Sequence, residues 1–283
     1  MTLKLARKKT PWNSGLSPGH TKCMPRSTGV LTAFLFVEIG LLLAQQQKAA
    51  NSQKQAAGSV PYVGCRSDGQ TGPLDAPSGK APQMSMRADI AQQLAYYSSA
   101  EGIGVLAPRS WYCTGTYGSG GEHIYVSPQP IDARSILSVD WGGFTGPAIQ
   151  LDHRYGDTSG RFAVAEIIAR VFPSFKAFAM GVMKELSPPD TFSFGPYPND
   201  TLTYKGKTVV EYRTPAQASG LGTLSSLKEN DSPIEGVAIL VEKTPDVIQL
   251  SVRLPSNLTE LTPVVIQQVE REASRRPQPK TIP

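Results

Sequence analysis

Hydrophobic and polar residues recur along the chain with two different periods, which separate predicted helices from predicted strands. The clearest helix follows Thr158 and Ser159, because an apolar stripe begins there at helical spacing. Its members are Val164, Ile167, Ile168 and Val171. Pro173 is expected to end this helix, since proline cannot continue the hydrogen-bond ladder. A second stripe starts at Phe175 and runs to the prolines at 188 and 189.

Two further helices are predicted near the ends of the folded region. The first covers residues 84–98, with Ser85 as its cap and one apolar face. That face consists of Ile90, Leu94 and Tyr97. The closing helix begins near Ser256 or Asn257 and points four apolar residues inward. These are Leu261, Val264, Val265 and Val269.

Short runs of apolar, β-branched and aromatic residues predict strands between the helices. They cover residues 104–107, 111–117, 123–127, 135–139, 148–153, 201–204, 208–214, 234–241 and 247–254. Short turns separate most of these runs, so we expect neighbours to pair as hairpins. Hairpins in sequence followed by a helix predict an α+β fold, in which a few helices cover an antiparallel sheet and the C-terminal helix closes the domain.

Two glycine-containing turns resemble catalytic motifs only in part. Residues 118–121 (Gly-Ser-Gly-Gly) would need a glycine in place of Tyr117 to form a serine-hydrolase nucleophile turn. Residues 206–208 (Gly-Lys-Thr) would need a glycine in place of Thr201 to form a phosphate-binding loop. We therefore interpret both as hairpin turns.

The N-terminal region predicts export. Residues 30–44 are apolar apart from Glu38. A membrane-spanning helix needs about 20 apolar residues, whereas the apolar core of a signal peptide needs roughly 7–15. We expect residues 1–44 to be a cleaved signal peptide, with a second candidate cleavage site at residues 56–58. The alternative is an uncleaved N-terminal membrane anchor.

The chain is predicted to consist of a leader, a linker, one domain and a short tail. Translation from Met24 would give a compact signal peptide, so residues 1–23 are expected to lie outside the native protein. Residues 45–59 form a low-complexity linker, residues 60–274 a single exported domain and residues 275–283 a frayed tail.

The positive charge belongs to the leader rather than to the domain. The chain has a net charge of +5, yet six basic residues precede the apolar segment, and from residue 45 onward 22 Lys and Arg face 22 Asp and Glu. A nucleic-acid-binding protein needs a dense cationic face. The neutral domain lacks that pattern, so we expect an unknown protein or small molecule as its partner. Contact with a membrane is expected only through an uncleaved leader.

The extent of the leader also determines which cysteines remain in the exported domain. Cys23 lies within the leader or before the true start, which leaves Cys65 and Cys113. A single pair in an oxidising compartment predicts a disulfide. The alternative is two separate buried thiols. Cys65 lies too far beyond the apolar segment to carry a lipid.

Four stretches carry a resemblance to known sequences. They are VGCRSDGQTGP, GVLAPRSWYCTGTYGS, VEYRTPAQASGLGT and LSVRLPSNLTEL. Together they resemble a family of uncharacterised secreted bacterial proteins, over residues 63–272. The resemblance implies a secreted or periplasmic bacterial protein. It implies no activity and no catalytic residue, because the family has no assigned activity.

The candidate catalytic residues are His153, Asp152, Asp157 and His123. A general base needs an imidazole that a carboxylate orients, and the first three residues lie at a strand end before the clearest helix. The same residues also fit an ordinary polar turn, where Asp157 would favour the positive end of the helix. Neither histidine has a second ligand at short spacing, so no metal site is predicted.

The candidate ligand-binding residues are Gly220, Gly222 and Arg213. Two glycines after a strand can present backbone amides to an anion. The alternative is a flexible connection, and no cofactor is expected. Three glycosylation sequons, at Asn199, Asn230 and Asn257, are interpreted as chance matches in a bacterial protein.

Two function classes remain. The first is an exported non-enzymatic domain, which binds an unidentified ligand or associates with the cell envelope, with a membrane-anchored form as a variant. The second is an extracytoplasmic hydrolase that uses the Asp152–His153 region together with His123.

Overall fold

The computed structural model describes residues 59–100, 102, 104–185 and 193–279. These residues belong to one unit, Ser52–Pro283. The predicted leader, the linker up to residue 58 and the prolines at 188 and 189 lie outside the described residues. Within the described part of the chain, no helix is long and apolar enough to cross a membrane.

Eleven strands and five α-helices are found in this part of the chain. The strands are β1 (Tyr62–Gly64), β2 (Ser67–Gly69), β3 (Leu94–Ser98), β4 (Val105–Pro108), β5 (Tyr112–Gly118), β6 (Gly121–Ser127), β7 (Ala148–Arg154), β8 (Thr201–Tyr204), β9 (Val209–Thr214), β10 (Ile234–Val241) and β11 (Asp246–Arg253). The α-helices are α1 (Ala88–Gln93), α2 (Ala133–Leu137), α3 (Arg161–Val171), α4 (Lys176–Met183) and α5 (Thr262–Ala273).

Most strands form one eight-stranded sheet in the order β2-β5-β6-β7-β11-β10-β9-β8. Every neighbouring pair in this sheet is antiparallel except β2 with β5. The chain therefore builds two meanders, β5 to β7 and β8 to β11, which meet where β7 pairs with β11. A small sheet, β1-β3-β4, accompanies the large one.

The large sheet is buried on both faces. Its first face packs against the small sheet, α1 and α5, through residues such as Leu94, Leu106, Ile149, Leu250 and Val265. Its second face packs against α3 and α4, through residues such as Ala148, Ile168, Phe175, Val210 and Leu240. The predicted α+β class, an antiparallel sheet covered by helices with a closing C-terminal helix, is confirmed.

The predicted apolar stripes agree with the helices on both faces. Val164, Ile167, Ile168 and Val171 of α3 are all buried. Pro173 ends α3, and a 3₁₀ turn, Pro173–Phe175, leads into α4. The closing helix begins with the 3₁₀ turn Ser256–Leu261 and continues as α5, with Leu261, Val265 and Val269 fully buried.

Two predicted elements are wrong. Residues 84–98 form the short helix α1 followed by β3, because Tyr96 and Tyr97 suit a strand and every residue of β3 is buried in the small sheet. Residues 135–139 contain the end of α2 rather than a strand. The carboxylate of Asp132 accepts the Ser135 N–H at 2.9 Å and caps this helix.

The long helix begins at Arg161, after Thr158 and Ser159 as predicted, and its N-cap is Gly160. The Thr158 hydroxyl donates to the Ser119 carbonyl at 2.5 Å. This bond joins the turn before α3 to the turn between β5 and β6.

The predicted disulfide and both predicted turns are confirmed. Cys65 and Cys113 are joined with an S–S distance of 2.06 Å, which fastens the β1–β2 connection to β5. Residues 118–121 make the tight turn between β5 and β6. Residues 205–208 turn the chain from β8 to β9, where Lys205 N–H donates to the Val209 carbonyl at 2.9 Å.

Candidate functional site

The second face of the large sheet carries a row of buried polar side chains. The strand register places His123 beside Asp152, and Asp152 beside Gln249, on β6, β7 and β11. Asp152 and Gln249 are both 0% exposed. Ordinary alternation along β7 and β11 therefore produces a polar belt, which we define as His123, Gln150, Asp152, Arg154 and Gln249.

Asp152 contacts three of the other four members of the polar belt. Its carboxylate lies 2.7 Å from His123 Nδ1, accepts the Gln150 amide N–H at 2.7 Å and pairs with Arg154 Nη2 at 2.9 Å. Burial opposes ionisation of Asp152. The positive charge of Arg154, together with the contacts to His123 and Gln150, outweighs that cost and holds the pKa of Asp152 below its ordinary value.

The polar belt fastens a loop onto the sheet. Gln249 Nε2 donates to the Leu221 carbonyl at 2.9 Å, and Arg154 Nη2 donates to the Leu224 carbonyl at 3.3 Å. The Ser226 N–H donates to Gln150 Oε1 at 2.7 Å. Residues 221–226 are therefore tied to the sheet through their backbone groups, in addition to the buried side chain of Leu221.

Arg253, at the end of β11, extends this pattern to a second loop. Its guanidinium donates to the carbonyls of Phe144 at 3.3 Å and Gly146 at 3.2 Å, and also to the carbonyl of Lys228. Arg253 is only 2% exposed, and burial lowers the pKa of its guanidinium. No described carboxylate lies within ion-pair distance of it. The chain thus keeps a buried cation that is compensated by backbone carbonyls.

A cleft of about 370 Å³ lies against the second loop, and we call it the loop cleft. Its walls come from the end of β6, from α2 and from residues 141–147. Three prolines, two isoleucines, Trp141 and Phe144 form its apolar part, while Ser127, Gln129, Ser135 and Thr145 supply polar groups. None of the lining residues is charged.

The aromatic side chains of the loop cleft pack as a unit with Tyr125 behind them. The ring centroids of Trp141 and Phe144 are 5.3 Å apart at an edge-to-face angle of 88°. Tyr125 lies 5.9 Å from Trp141 and 6.1 Å from Phe144. Gly143, with φ +85°, allows this packing because a Cβ there would lie 2.5 Å from the Ser226 carbonyl oxygen. The cleft wall is therefore preformed.

His153 lies on the opposite face of β7 and forms a separate charged cluster. Its Nδ1 is 3.0 Å from Glu122 on β6, and its Nε2 is 3.2 Å from Asp246 at the start of β11. Arg276 of the C-terminal segment lies 3.5 Å from Nδ1, and the Tyr155 ring packs edge-on at 5.0 Å. The imidazole thus joins two strands of the sheet to β7.

The two carboxylates favour the protonated form of His153. Burial alone would lower the pKa of His153, and Arg276 acts in the same direction. Contact with Asp246 and Glu122 outweighs both effects, so the pKa of His153 is raised above its ordinary value. An imidazole whose two nitrogens both face carboxylates is suited to holding strands together.

The structure does not bring the predicted catalytic residues into one group. Asp152 and His153 are neighbours in β7, so their side chains point to opposite faces of the sheet. Asp157 is exposed in the turn before α3. A cavity of only about 10 Å³, enough for a single water molecule, lies on the His153 face of the sheet beside Glu122 and Leu151.

The predicted ligand-binding residues are also separated. Gly220 N–H donates to Thr223 Oγ1 at 3.0 Å, and Gly222 N–H donates to Thr214 Oγ1 at 2.9 Å. Arg213 points to the other side of β9 from Thr214, where its guanidinium pairs with Glu235 at 3.1 Å. The glycine amides are therefore occupied within the protein.

Sequence reasoning missed the residues that build the loop cleft and the charged cluster. Trp141 and Phe144 stand in a glycine- and proline-rich run, WGGFTGP, and this combination of rings and turn residues was the available signal. Glu122 and Asp246 become partners of His153 only through the sheet order. Among the described residues, no group of three His, Cys, Asp or Glu side chains is arranged to hold a metal ion.

Comparison with known proteins leaves the site to be judged by its geometry. No protein-family model, no curated protein and no solved structure matches this chain.

The raised pKa of His153 predicts a specific pH dependence of stability. A group whose folded pKa exceeds its unfolded value, near 6.5, stabilises the folded protein fully below about pH 6.5 and ceases to do so as the pH rises through the folded pKa. We expect His153→Gln to lower the free energy of unfolding by roughly 3 kcal/mol at pH 6, because both carboxylates lose their partner. Urea unfolding at a series of pH values measures this.

The difference between the two proteins should shrink as the pH is raised above 6.5. A difference that stays constant from pH 5 to pH 9 would contradict the assignment of His153 as the protonated centre of the cluster.

Proposed function

We propose that this chain is an exported, non-enzymatic binding domain whose ligand site is the loop cleft. The observation that carries the proposal is the set of hydrogen bonds from Arg253 that holds the loops behind that cleft. Arg253 is buried without a carboxylate, and its donors go to the backbone of the two loops, 144–146 and 228. A buried charge of this kind is costly, so a function is expected at the loops that it fixes.

The size and lining of the cleft support a ligand site. Ligand pockets are commonly 300–1,000 Å³, largely apolar and equipped with a few polar groups. The loop cleft, at about 370 Å³, combines Trp141 and Phe144 with the side chains of Gln129 and Thr145. Within the described part of the chain, neither of these two polar side chains makes a hydrogen bond to protein. Both are free to contact a ligand.

Export is part of the same proposal. It rests on the apolar segment at residues 30–44, the neutral remainder of the chain and the Cys65–Cys113 disulfide, which is typical of oxidising compartments. Expression of the full chain in a bacterial host, followed by fractionation and N-terminal sequencing, tests it. We expect a processed periplasmic or secreted protein that begins after Ala44. A product that stays in the cytoplasm at full length would overturn the proposal.

A hydrolase is the second candidate, and one contact favours it. His123 is 25% exposed at its side chain and lies 2.7 Å from the fully buried Asp152 carboxylate, as a general base requires. Against it stands the lack of a serine, threonine or cysteine side chain bonded to His123 among the described residues. Hydrolysis of p-nitrophenyl acetate that His123→Gln reduces by about 100-fold would favour this candidate.

Two matched glycine substitutions test the binding site. Gly146 lines the loop cleft and Gly142 does not, while a Cβ at either position would meet open space. We expect Gly146→Phe to fill the cleft and Gly142→Phe to leave it open, with little effect of either on stability. The measurement is an NMR screen of a fragment library against protein with ¹⁵N-labelled tryptophan.

Fragments that bind should shift the Trp141 indole signal in the wild-type protein and in Gly142→Phe, but not in Gly146→Phe. A library that never moves this signal, or that moves it equally in all three proteins, would contradict the proposed site.

A further inference from the structure

We infer that the loop cleft selects a small uncharged molecule with a flat apolar ring, an inference that rests on the proposed binding function. The lining residues supply the first reason. They include no Asp, Glu, Lys, Arg or His. A charged ligand would lose its hydration on entering and would find no counter-charge among the lining residues, which is a large cost.

The nearest buried charge does not change this preference. Arg253 lies behind the wall rather than on it, since it is absent from the lining and its guanidinium faces the carbonyls of Phe144, Gly146 and Lys228. Those carbonyls occupy both terminal nitrogens of the side chain. A ligand in the cleft is therefore separated from the guanidinium by the backbone of the loop.

The shape of the wall favours a ring. Trp141 and Phe144 meet edge to face at 5.3 Å, with Tyr125 packed against both. Aromatic groups prefer offset-stacked or edge-to-face partners, so a planar ligand can extend this cluster. Pro128, Pro130 and Pro147 of the cleft lose little conformational entropy when a ligand binds.

Two of the polar lining side chains make no hydrogen bond within the described residues. Gln129 and Thr145 supply the hydrogen-bonding groups that orient a ligand. A ring with one or two polar atoms and no net charge is the chemistry that matches these residues.

A matched pair of fluorescent probes tests the inference. N-phenyl-1-naphthylamine is uncharged, and 8-anilinonaphthalene-1-sulfonate has the same ring skeleton with one added sulfonate. Each is titrated into the full-length protein, and into Gly146→Phe and Gly142→Phe as blocked and open controls. Circular dichroism establishes that both variants are folded.

We expect the amine to bind with one-to-one stoichiometry in the wild-type protein and in Gly142→Phe. Gly146→Phe should weaken it by at least about tenfold. The sulfonate should bind at least about tenfold more weakly than the amine to the wild-type protein, because its charge is not compensated.

Other outcomes separate the failure of this inference from the failure of the proposed function. Equal binding of both probes, lost together in Gly146→Phe, would overturn the selection for uncharged ligands and leave the cleft as a binding site. Absence of amine binding, or amine binding that Gly146→Phe does not reduce, would overturn the inference. The tryptophan NMR screen then decides whether the cleft binds anything.

Discussion

The antiparallel pairing of β7 with β11 is the interaction on which the rest of the structure depends. It joins the two meanders into one sheet, and its register brings Asp152 beside Gln249 and Ala148 beside Arg253. On the first face the same strands contribute Ile149, Leu151 and Leu250 to the apolar core, next to the buried His153 cluster. On the second face they bury polar and charged groups, and every such group has to be compensated there.

The hydrogen bonds that satisfy these buried polar side chains also fix the positions of the loops. Side chains of the belt bind the backbone of residues 221–226, and Arg253 binds the carbonyls of residues 144, 146 and 228. Hydrogen bonds from the sheet, together with the burial of Leu221 and Leu227, hold these loops. The loop cleft is the space that this arrangement leaves between α2 and residues 141–147, with its aromatic wall already assembled.

His153 and His123 have different roles in the sheet. His153 faces two carboxylates on neighbouring strands, so its protonation is a matter of stability. His123 combines partial exposure with an orienting carboxylate, but no described serine, threonine or cysteine side chain is hydrogen-bonded to it. Two consecutive residues of one strand, Asp152 and His153, looked like a single catalytic group in the sequence. The pleat of the strand divides them between two clusters.

Much of the fold could be predicted because local patterns agreed with the final packing. The stripe of α3, the hairpins after residue 200 and the Cys65–Cys113 bridge are of this kind. The pattern failed at residues 94–98, where helical spacing of apolar residues coincided with a fully buried strand. The pattern also failed to predict the candidate site. Alternation in β7 and β11 predicts that one face of the sheet is polar, but it does not indicate that loops and helices cover that face. Pairing of Glu122 and Asp246 with His153, and of Arg253 with two distant loops, depends on strand order.

Arg253 holds the wall of the loop cleft in place, and hydrogen exchange at single amides tests this role directly. The Phe144 N–H donates to the Ser226 carbonyl at 2.8 Å, and the Lys228 N–H donates to the Phe144 carbonyl at 2.9 Å. In Arg253→Met these two amides should exchange at least about tenfold faster, because both loops lose hydrogen bonds from a charged donor, each worth roughly 1.5–3 kcal/mol. The exposed Arg213→Met should leave both unchanged. Unaltered exchange at Phe144 and Lys228 in a folded Arg253→Met protein would contradict the account.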